Sequence, residues 1–254
     1  MQLDKAKIKQ SFASASHTYD SVAALQRRVA NELLDFTSPL PSSVLLDLGC
    51  GTGFLTNELL GLAQSVIALD IALPMLHVTR SKLGDKARYL CADAEQLPLV
   101  EHSVEGIFSN LALQWCINLV AVFTDIKRVL KPGGKLVFST FGPKTLEELK
   151  AAWANVDDYE HVNDFYSEQQ LSSFLKQAGY TEITIETRIH LSSYDSVLAL
   201  MRELKYIGAH NVIEGRNKNI TSKSQMRRMI AAYEPHRSGD LVYATFEVIM
   251  ISAS

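Results

Sequence analysis

The run Val44-Leu45-Leu46-Asp47-Leu48-Gly49-Cys50-Gly51-Thr52-Gly53-Phe54-Leu55-Thr56 restricts the possible folds more than any other stretch of the chain. A short apolar segment ends in an acid and three glycines follow at alternate positions. A helical pattern then begins with Leu55, Leu59, Leu60 and Leu62. That order reads as a strand, a tight turn and a helix start. Glycine tolerates positive φ and lets a ligand lie against the backbone. A loop of this kind at the carboxyl end of a strand is where an open α/β sheet binds ligands. The dinucleotide pattern Gly-x-Gly-x-x-Gly is not met. Counted from Gly49 its last position is Phe54, and from Gly51 it is Thr56. A pyrophosphate nested on the helix start is therefore not expected.

The rest of the chain repeats strand and helix in alternation. Val22, Leu25, Val29 and Leu33 recur at helical spacing ahead of the first strand. Ser65-Val66-Ile67-Ala68-Leu69-Asp70 reads as a second buried strand. Asp70 lies about 20 residues past the glycines, where a doubly wound fold places the carboxylate that accepts both ribose hydroxyls. Further strands are read at Arg88–Ala92, Val104–Asn110, Lys135–Phe138, Thr181–Ile189 and Leu241–Ile251, the last pairing antiparallel with its predecessor. Lys131-Pro132-Gly133-Gly134 reads as a turn between helix and strand. The expected architecture is α/β and Rossmann-like: a seven-stranded, mostly parallel sheet with an antiparallel last strand, in one domain. Residues 1–40 form lid helices, 41–191 and 239–254 the core, and 192–238 a helical cap over the substrate.

A net charge of −3 argues against general nucleic-acid binding. No run approaches the roughly 20 apolar residues that span a membrane, and Met1–Lys9 lacks the apolar core of a signal peptide. Cys50, Cys91 and Cys116 have no metal-ligand spacing and suit a reducing compartment, so a cytoplasmic protein without a metal is expected.

The acidic-x-Gly-x-Gly-x-Gly spacing from Asp47 to Gly53 resembles motif I of the class I S-adenosylmethionine-dependent methyltransferases. Asp93-Ala94 resembles their motif II, Leu130-Lys131-Pro132-Gly133-Gly134 another of their signatures, and Phe12 to Tyr19-Asp20 their N-terminal lid. The resemblance implies S-adenosylmethionine as cofactor and S-adenosylhomocysteine as product. It places Tyr19, Asp47, Gly49, Gly51, Gly53, Asp70, Ile71, Met75, Asp93, Ala94, Asn110 and Leu111 at the cofactor, with Asp93 and the Ala94 N–H reading adenine. Asn110 is followed by Leu111-Ala112 rather than Pro-Pro-aromatic, which points away from methylation of a base or amide nitrogen.

A sulfonium methyl needs alignment more than activation. A carboxylate acceptor is ionised at neutral pH and needs no general base. Tyr19, Gln26 and Trp115 are candidate neutral donors to such an acceptor. Arg202 is the cationic candidate, and His161 a candidate base were one needed. Arg216, Lys218, Lys223, Arg227, Arg228 and Arg237 make the cap locally basic, which suits an acidic partner such as an acyl carrier protein. Ser109-Asn110-Leu111-Ala112-Leu113-Gln114-Trp115-Cys116, His161-Val162-Asn163 and Ile207-Gly208-Ala209 with Glu214-Gly215-Arg216 resemble the malonyl-acyl-carrier-protein O-methyltransferases of biotin synthesis. That resemblance implies esterification of the free carboxylate of a malonyl thioester. Methylation of another small acid of the trans-aconitate type, or cofactor binding without catalysis, are the competing readings. A free acid would not call for a basic cap.

Overall fold

The computed structural model describes residues 4–37, 42–209 and 221–254. Three helices precede the sheet: α1 (Lys5–Ala15), α2 (Tyr19–Val22) and α3 (Ala24–Phe36). Asp4 caps α1 by accepting from the Lys7 N–H at 3.1 Å. The apolar spacing from Val22 to Leu33 is not one helix. It breaks at Ala23, whose φ of −81° and ψ of 38° separate α2 from α3.

The core then follows as β1 (Ser42–Leu48), α4 (Phe54–Leu59), β2 (Ala63–Asp70), α5 (Leu73–Leu83), β3 (Arg88–Cys91), β4 (Val104–Asn110), α6 (Leu119–Val129) and β5 (Leu130–Phe141). Beyond it come α7 (Glu147–Ala154), α8 (Glu168–Gln177), β6 (Ile183–Tyr194), α9 (Val197–Tyr206), α10 (Lys223–Tyr233), β7 (Arg237–Ser238) and β8 (Leu241–Ala253).

The main sheet runs β3-β2-β1-β4-β5-β8-β6, with the two-residue β7 paired to β8. The first five strands are mutually parallel, and β8 is antiparallel to both β5 and β6. This is the expected α/β sheet with its antiparallel last strand. Three local features differ from the sequence reading. β6 continues to Tyr194, so the strand enters the span read as cap. β7 adds a hairpin there. Lys131-Pro132-Gly133-Gly134 is an irregular excursion within β5 rather than a turn before it. It shifts the pairing between Val104 and Gly106, with Gly133 at a φ of 78°.

Side-chain parity sorts the strands between two cores, since successive residues point to opposite faces. Leu45, Val137, Val248 and Met250 pack with Val29 and Leu33 of α3, Leu55 and Leu59 of α4, Trp153 of α7, Leu200 of α9 and Met229 of α10. Leu46, Leu136, Ile249 and Ile251 face the other way, onto Phe123 and Ile126 of α6 and Leu171 and Leu175 of α8. The chain leaves β1 toward β2 on one side and returns to β4 on the other. The carboxyl ends of β1 and β4 therefore flank a topological switch point, where open sheets form a ligand crevice.

Candidate active site

Gly49, Gly51 and Gly53 have φ of 80°, 53° and 86°. Their surroundings give them different tasks. A Cβ on Gly49 would lie 2.3 Å from the Ala112 Cβ, so this glycine lets the loops after β1 and β4 meet at the switch point. Gly51 has nothing within 4 Å of such a Cβ, and it lines the open crevice. Gly53 does not line that crevice; a Cβ there would meet the Thr79 Cγ2 at 2.5 Å, so it packs α4 against α5. Gly49 and Cys50 both donate backbone N–H groups to the Leu69 carbonyl, at 2.8 and 2.9 Å, which ties the loop to the end of β2.

The crevice is a cavity of about 780 Å³. Tyr19, Gly49, Gly51, Asp70, Ile71, Met75, Asp93, Ala94, Asn110, Leu111 and Trp115 all line it. Asp70 is buried and accepts from the Gly51 N–H at 2.9 Å and the Ala72 N–H at 2.8 Å. Burial pushes its carboxyl up to about 6 while those two donors hold it down. Asp93 accepts from the Glu95 N–H and from Lys5 Nζ at 2.5 Å, and Lys5 also reaches Glu95 at 2.9 Å. Asn110 has both ends of its amide engaged: it donates to the Gln26 carbonyl and accepts from the Ser139 hydroxyl. Its side chain braces α3, β4 and β5 together. Leu111, beside it, holds a φ of 51°, a costly backbone for a leucine that the Ser139 carbonyl and hydroxyl stabilise by accepting from its N–H.

Gln26 and Asp47 lie outside this cavity, in an adjoining recess of about 410 Å³ with Asp20, Arg27 and Thr52. Tyr19, Gly49, Gly51 and Asn110 border both spaces. Asp47 is 1% exposed and accepts from Thr56 Oγ1 at 2.5 Å. Burial pushes its carboxyl up to about 7 from an ordinary 3.8. The native state therefore holds this proton more tightly than the unfolded chain does. The contribution to stability falls as pH rises from about 4 to about 7, then levels off. Asp47→Asn should remove that slope. Its stability relative to the parent, from urea midpoints at about pH 5 and about pH 8, is expected to be greater at the higher pH, and equal differences would refute the assignment.

The lid contributes residues that the sequence reading did not place at the site. Lys5, Ile8 and Phe12 of α1 line the crevice, and the Phe12 ring meets Trp115 edge-on at 5.4 Å. Asp20 anchors the lid to the glycine loop, accepting from Thr52 Oγ1 at 2.7 Å and from Lys82 Nζ at 2.5 Å. The Thr18 hydroxyl donates to the Tyr206 carbonyl at 2.9 Å, which joins the lid to α9. Burial, with Asp70 and Asp20 nearby, raises the Tyr19 hydroxyl above its ordinary range, so it remains a hydrogen-bond donor. Burial likewise pushes the Cys116 thiol on the crevice wall up to about 12.

A second cavity, of about 1000 Å³, shares Trp115 with the first. Phe141, Leu146, Leu149, Trp153, Met201 and Phe246 are among its apolar walls, and Thr145, His161, Asn163 and Thr221 its polar groups. Arg202 borders neither cavity and points to the exposed side of α9. Gln26 does not line the second cavity; its backbone carbonyl accepts from the Asn110 amide at 2.9 Å, and its buried Oε1 has no hydrogen-bond partner among the described residues. Arg216, Lys218 and the Glu214-Gly215-Arg216 motif lie outside the described residues. Among the described residues no cluster of three or more His, Cys, Asp or Glu is disposed to hold a metal ion, and no helix is long and apolar enough to cross a membrane.

Residues 46–138 match the family model described as methyltransferase domain. The fold is similar to that of phosphoethanolamine N-methyltransferase 2 of Haemonchus contortus, solved with S-adenosyl-L-methionine. The TM-score is 0.59 at 16% identity, over 95% of this chain and 57% of that one, and the likeness is one of fold. A glycine loop at the switch point, a buried acid at the end of β2 and this sheet order define a class I methyltransferase. Over 94% of its length the chain is 42% identical to the malonyl-[acyl-carrier protein] O-methyltransferase of Methylococcus capsulatus, covering 90% of that protein. The chain belongs to this methyltransferase family. It is also 41% identical to the biotin biosynthesis bifunctional protein BioHC of Saccharophagus degradans, over 96% of this chain and 46% of that protein. It thus spans about half the length of its bifunctional relatives.

The residues present fit the cofactor of this class. Asp70 keeps acceptor capacity toward the crevice for ribose hydroxyls, and Ile71, Ala92 and Leu113 offer apolar walls to a purine. The recess beyond Tyr19 offers both an acid, Asp47, and a cation, Arg27, to an amino-acid end.

Proposed function

We propose that this chain methylates the free carboxylate of a malonyl thioester carried by an acyl carrier protein, with S-adenosylmethionine as donor, and so forms the methyl ester used in biotin synthesis. The observation that carries this reading is the meeting of the two cavities at Trp115. The crevice that carries Asp70 and Asp93 and a second, largely apolar cavity share that one side chain. The name of the Methylococcus capsulatus relative supports the same substrate.

The cofactor, when bound, supplies an activated methyl group. The protein supplies position and exclusion of water. Tyr19 and Trp115 are donors on the crevice wall that can hold the acceptor carboxylate without an ion pair, which leaves its oxygen nucleophilic. His161 donates through Nε2 to Asp157 Oδ1 at 2.7 Å and stacks on Trp153, so it stiffens the wall of the acyl cavity in this reading. In this reading the enzyme works in the cytoplasm, which its free Cys50, Cys91 and Cys116 suit.

Lys223, Arg227 and Arg228 are exposed on α10, and we assign them to carrier-protein docking. Arg237 is engaged by Glu234 at 2.8 Å and is left out of that face. Reversing charge in Arg227→Glu with Arg228→Glu should raise the KM for malonyl-acyl carrier protein by about 10-fold at low salt, and less at high salt. An unchanged KM would remove α10 from the docking surface.

The test of the function is transfer of label from methyl-labelled S-adenosylmethionine. Malonyl-acyl carrier protein, malonyl-coenzyme A, free malonate and trans-aconitate would be compared, and base-labile label scored. Label on the malonyl thioesters supports the proposal. Label on a free acid alone would overturn it, and bound cofactor with no label would favour a non-catalytic protein.

A further inference from the structure

The Ile207-Gly208-Ala209 run has no task in the reaction as described. In the structure it closes α9. The Ala209 N–H donates to the Leu204 carbonyl at 2.9 Å and the Gly208 N–H to the Lys205 carbonyl at 3.1 Å, with Gly208 at a φ of 76°. That is a glycine turn of the kind that ends helices. A second constraint acts on the same glycine. A Cβ there would lie 3.1 Å from the Ser11 carbonyl oxygen and 3.2 Å from the Phe12 Cδ1, both of α1. The turn therefore rests directly on the lid. Thr18, between α1 and α2, fastens it there: its hydroxyl, shared with the Ala15 carbonyl, donates to the Tyr206 carbonyl at 2.9 Å.

The two partners in this contact line different cavities. Met201, Leu204, Ile207 and Ala209, at this end of α9, line the second cavity. Lys5, Ile8, Phe12 and Tyr19 of the lid line the crevice. Phe12 joins the two, since its ring also meets Trp115, the side chain that both cavities share. A ligand in the crevice would thus hold the lid, and the lid supports one wall of the second cavity. A lid that lifts to exchange cofactor takes that support away.

We propose that Gly208 and Thr18 are positioning residues that seat the wall of the second cavity on the lid, so that cofactor and acyl substrate bind cooperatively. The proposal rests on the malonyl-thioester reading above, with the acyl end of the substrate in the second cavity. A filled crevice favours the closed lid, and the closed lid sets Ile207 and Ala209 before the substrate arrives. A ligand shifts such an equilibrium only by its differential affinity for the two states, and the coupling between two ligands is reciprocal. Each ligand is therefore expected to tighten the other by the same factor.

The test uses S-adenosylhomocysteine, which has no methyl group to transfer, so that the ternary complex does not react. Titration calorimetry would give the Kd of malonyl-acyl carrier protein with and without saturating S-adenosylhomocysteine. The wild-type protein is expected to bind malonyl-acyl carrier protein about 10-fold more tightly when the crevice is filled. The carrier protein without its arm docks but leaves the second cavity empty, and its Kd is expected not to change. Thr18→Val keeps the shape of the side chain and loses the bond to Tyr206, so its coupling is expected to fall to about 2-fold, while Thr18→Ser retains it. Equal affinities with and without S-adenosylhomocysteine would overturn the proposal. So would equal tightening of the armless carrier, or a Thr18→Val variant with its coupling intact. Should that variant not fold, the wild-type comparison of the two carriers decides. Failure of malonyl-acyl carrier protein to bind in either condition, with S-adenosylhomocysteine still bound, would remove the malonyl reading itself and this inference with it.

Discussion

Asp70→Ala is expected to weaken S-adenosylmethionine binding by about 100-fold, the cost of two charge-assisted hydrogen bonds at about 1.5 kcal/mol each. The effect has two sources. The carboxylate would no longer accept from ribose hydroxyls, and the Gly51 and Ala72 N–H groups would lose the acceptor that now sets the loop. Titration calorimetry with S-adenosylhomocysteine, beside a urea melt, separates the two. A loss of affinity at unchanged stability assigns it to the ribose. Affinity within about threefold of the parent would show that Asp70 organises the loop and nothing more, since that is below the worth of one such bond.

Gly49→Val is expected to lower stability by about 3 kcal/mol or more, because two penalties coincide. A β-branched residue is strained at a φ of 80°, and its Cβ would lie 2.3 Å from that of Ala112, whose loop follows the already strained Leu111. Neither loop can retreat cheaply: Gly49 is held to Leu69 and Leu111 to Ser139. Urea denaturation followed by circular dichroism would measure the loss. Gly51→Ala is the comparison, since it has a similar backbone but open space around its Cβ. Equal destabilisation of the two would mean that backbone strain, and not the approach of the two loops, is what Gly49 relieves.

Much of the lining of the crevice at the switch point was legible because its parts are local in sequence. Three alternate glycines, an acid at a strand end and the Asp93-Ala94 pair declare themselves within a few residues of the strand that carries them. Gly53 shares its spacing with Gly51, and a glycine that admits a ligand and one that admits a neighbouring helix look the same in sequence; only the position of Thr79 separates them. Lys5 and Ile8 went unnoticed because nothing in the pattern of α1 states that it folds back over β3 and β4. Arg202 looked available as a cation in an apolar helix, yet α9 buries Val197 and Leu200 and turns Arg202 outward. Asn163 was quoted as part of a motif, but that its Oδ1 is buried with no partner among the described residues is a property of the fold alone.

The placement of β8 bears on how the protein is made. It lies between β5 and β6, both of which leave the ribosome before it does. Until β8 is synthesised, β5 presents an open edge and β6 has no partner in the main sheet, the kind of exposed strand that invites aggregation. The segments of α9 and α10 are translated in that interval, between β6 and β8. Closing the sheet and setting the wall of the second cavity thus become a single late event. A nascent chain stopped short of Leu241 would keep the glycine loop and the buried acid, but without the strand that joins β6 and the second cavity's Phe246 wall to the rest.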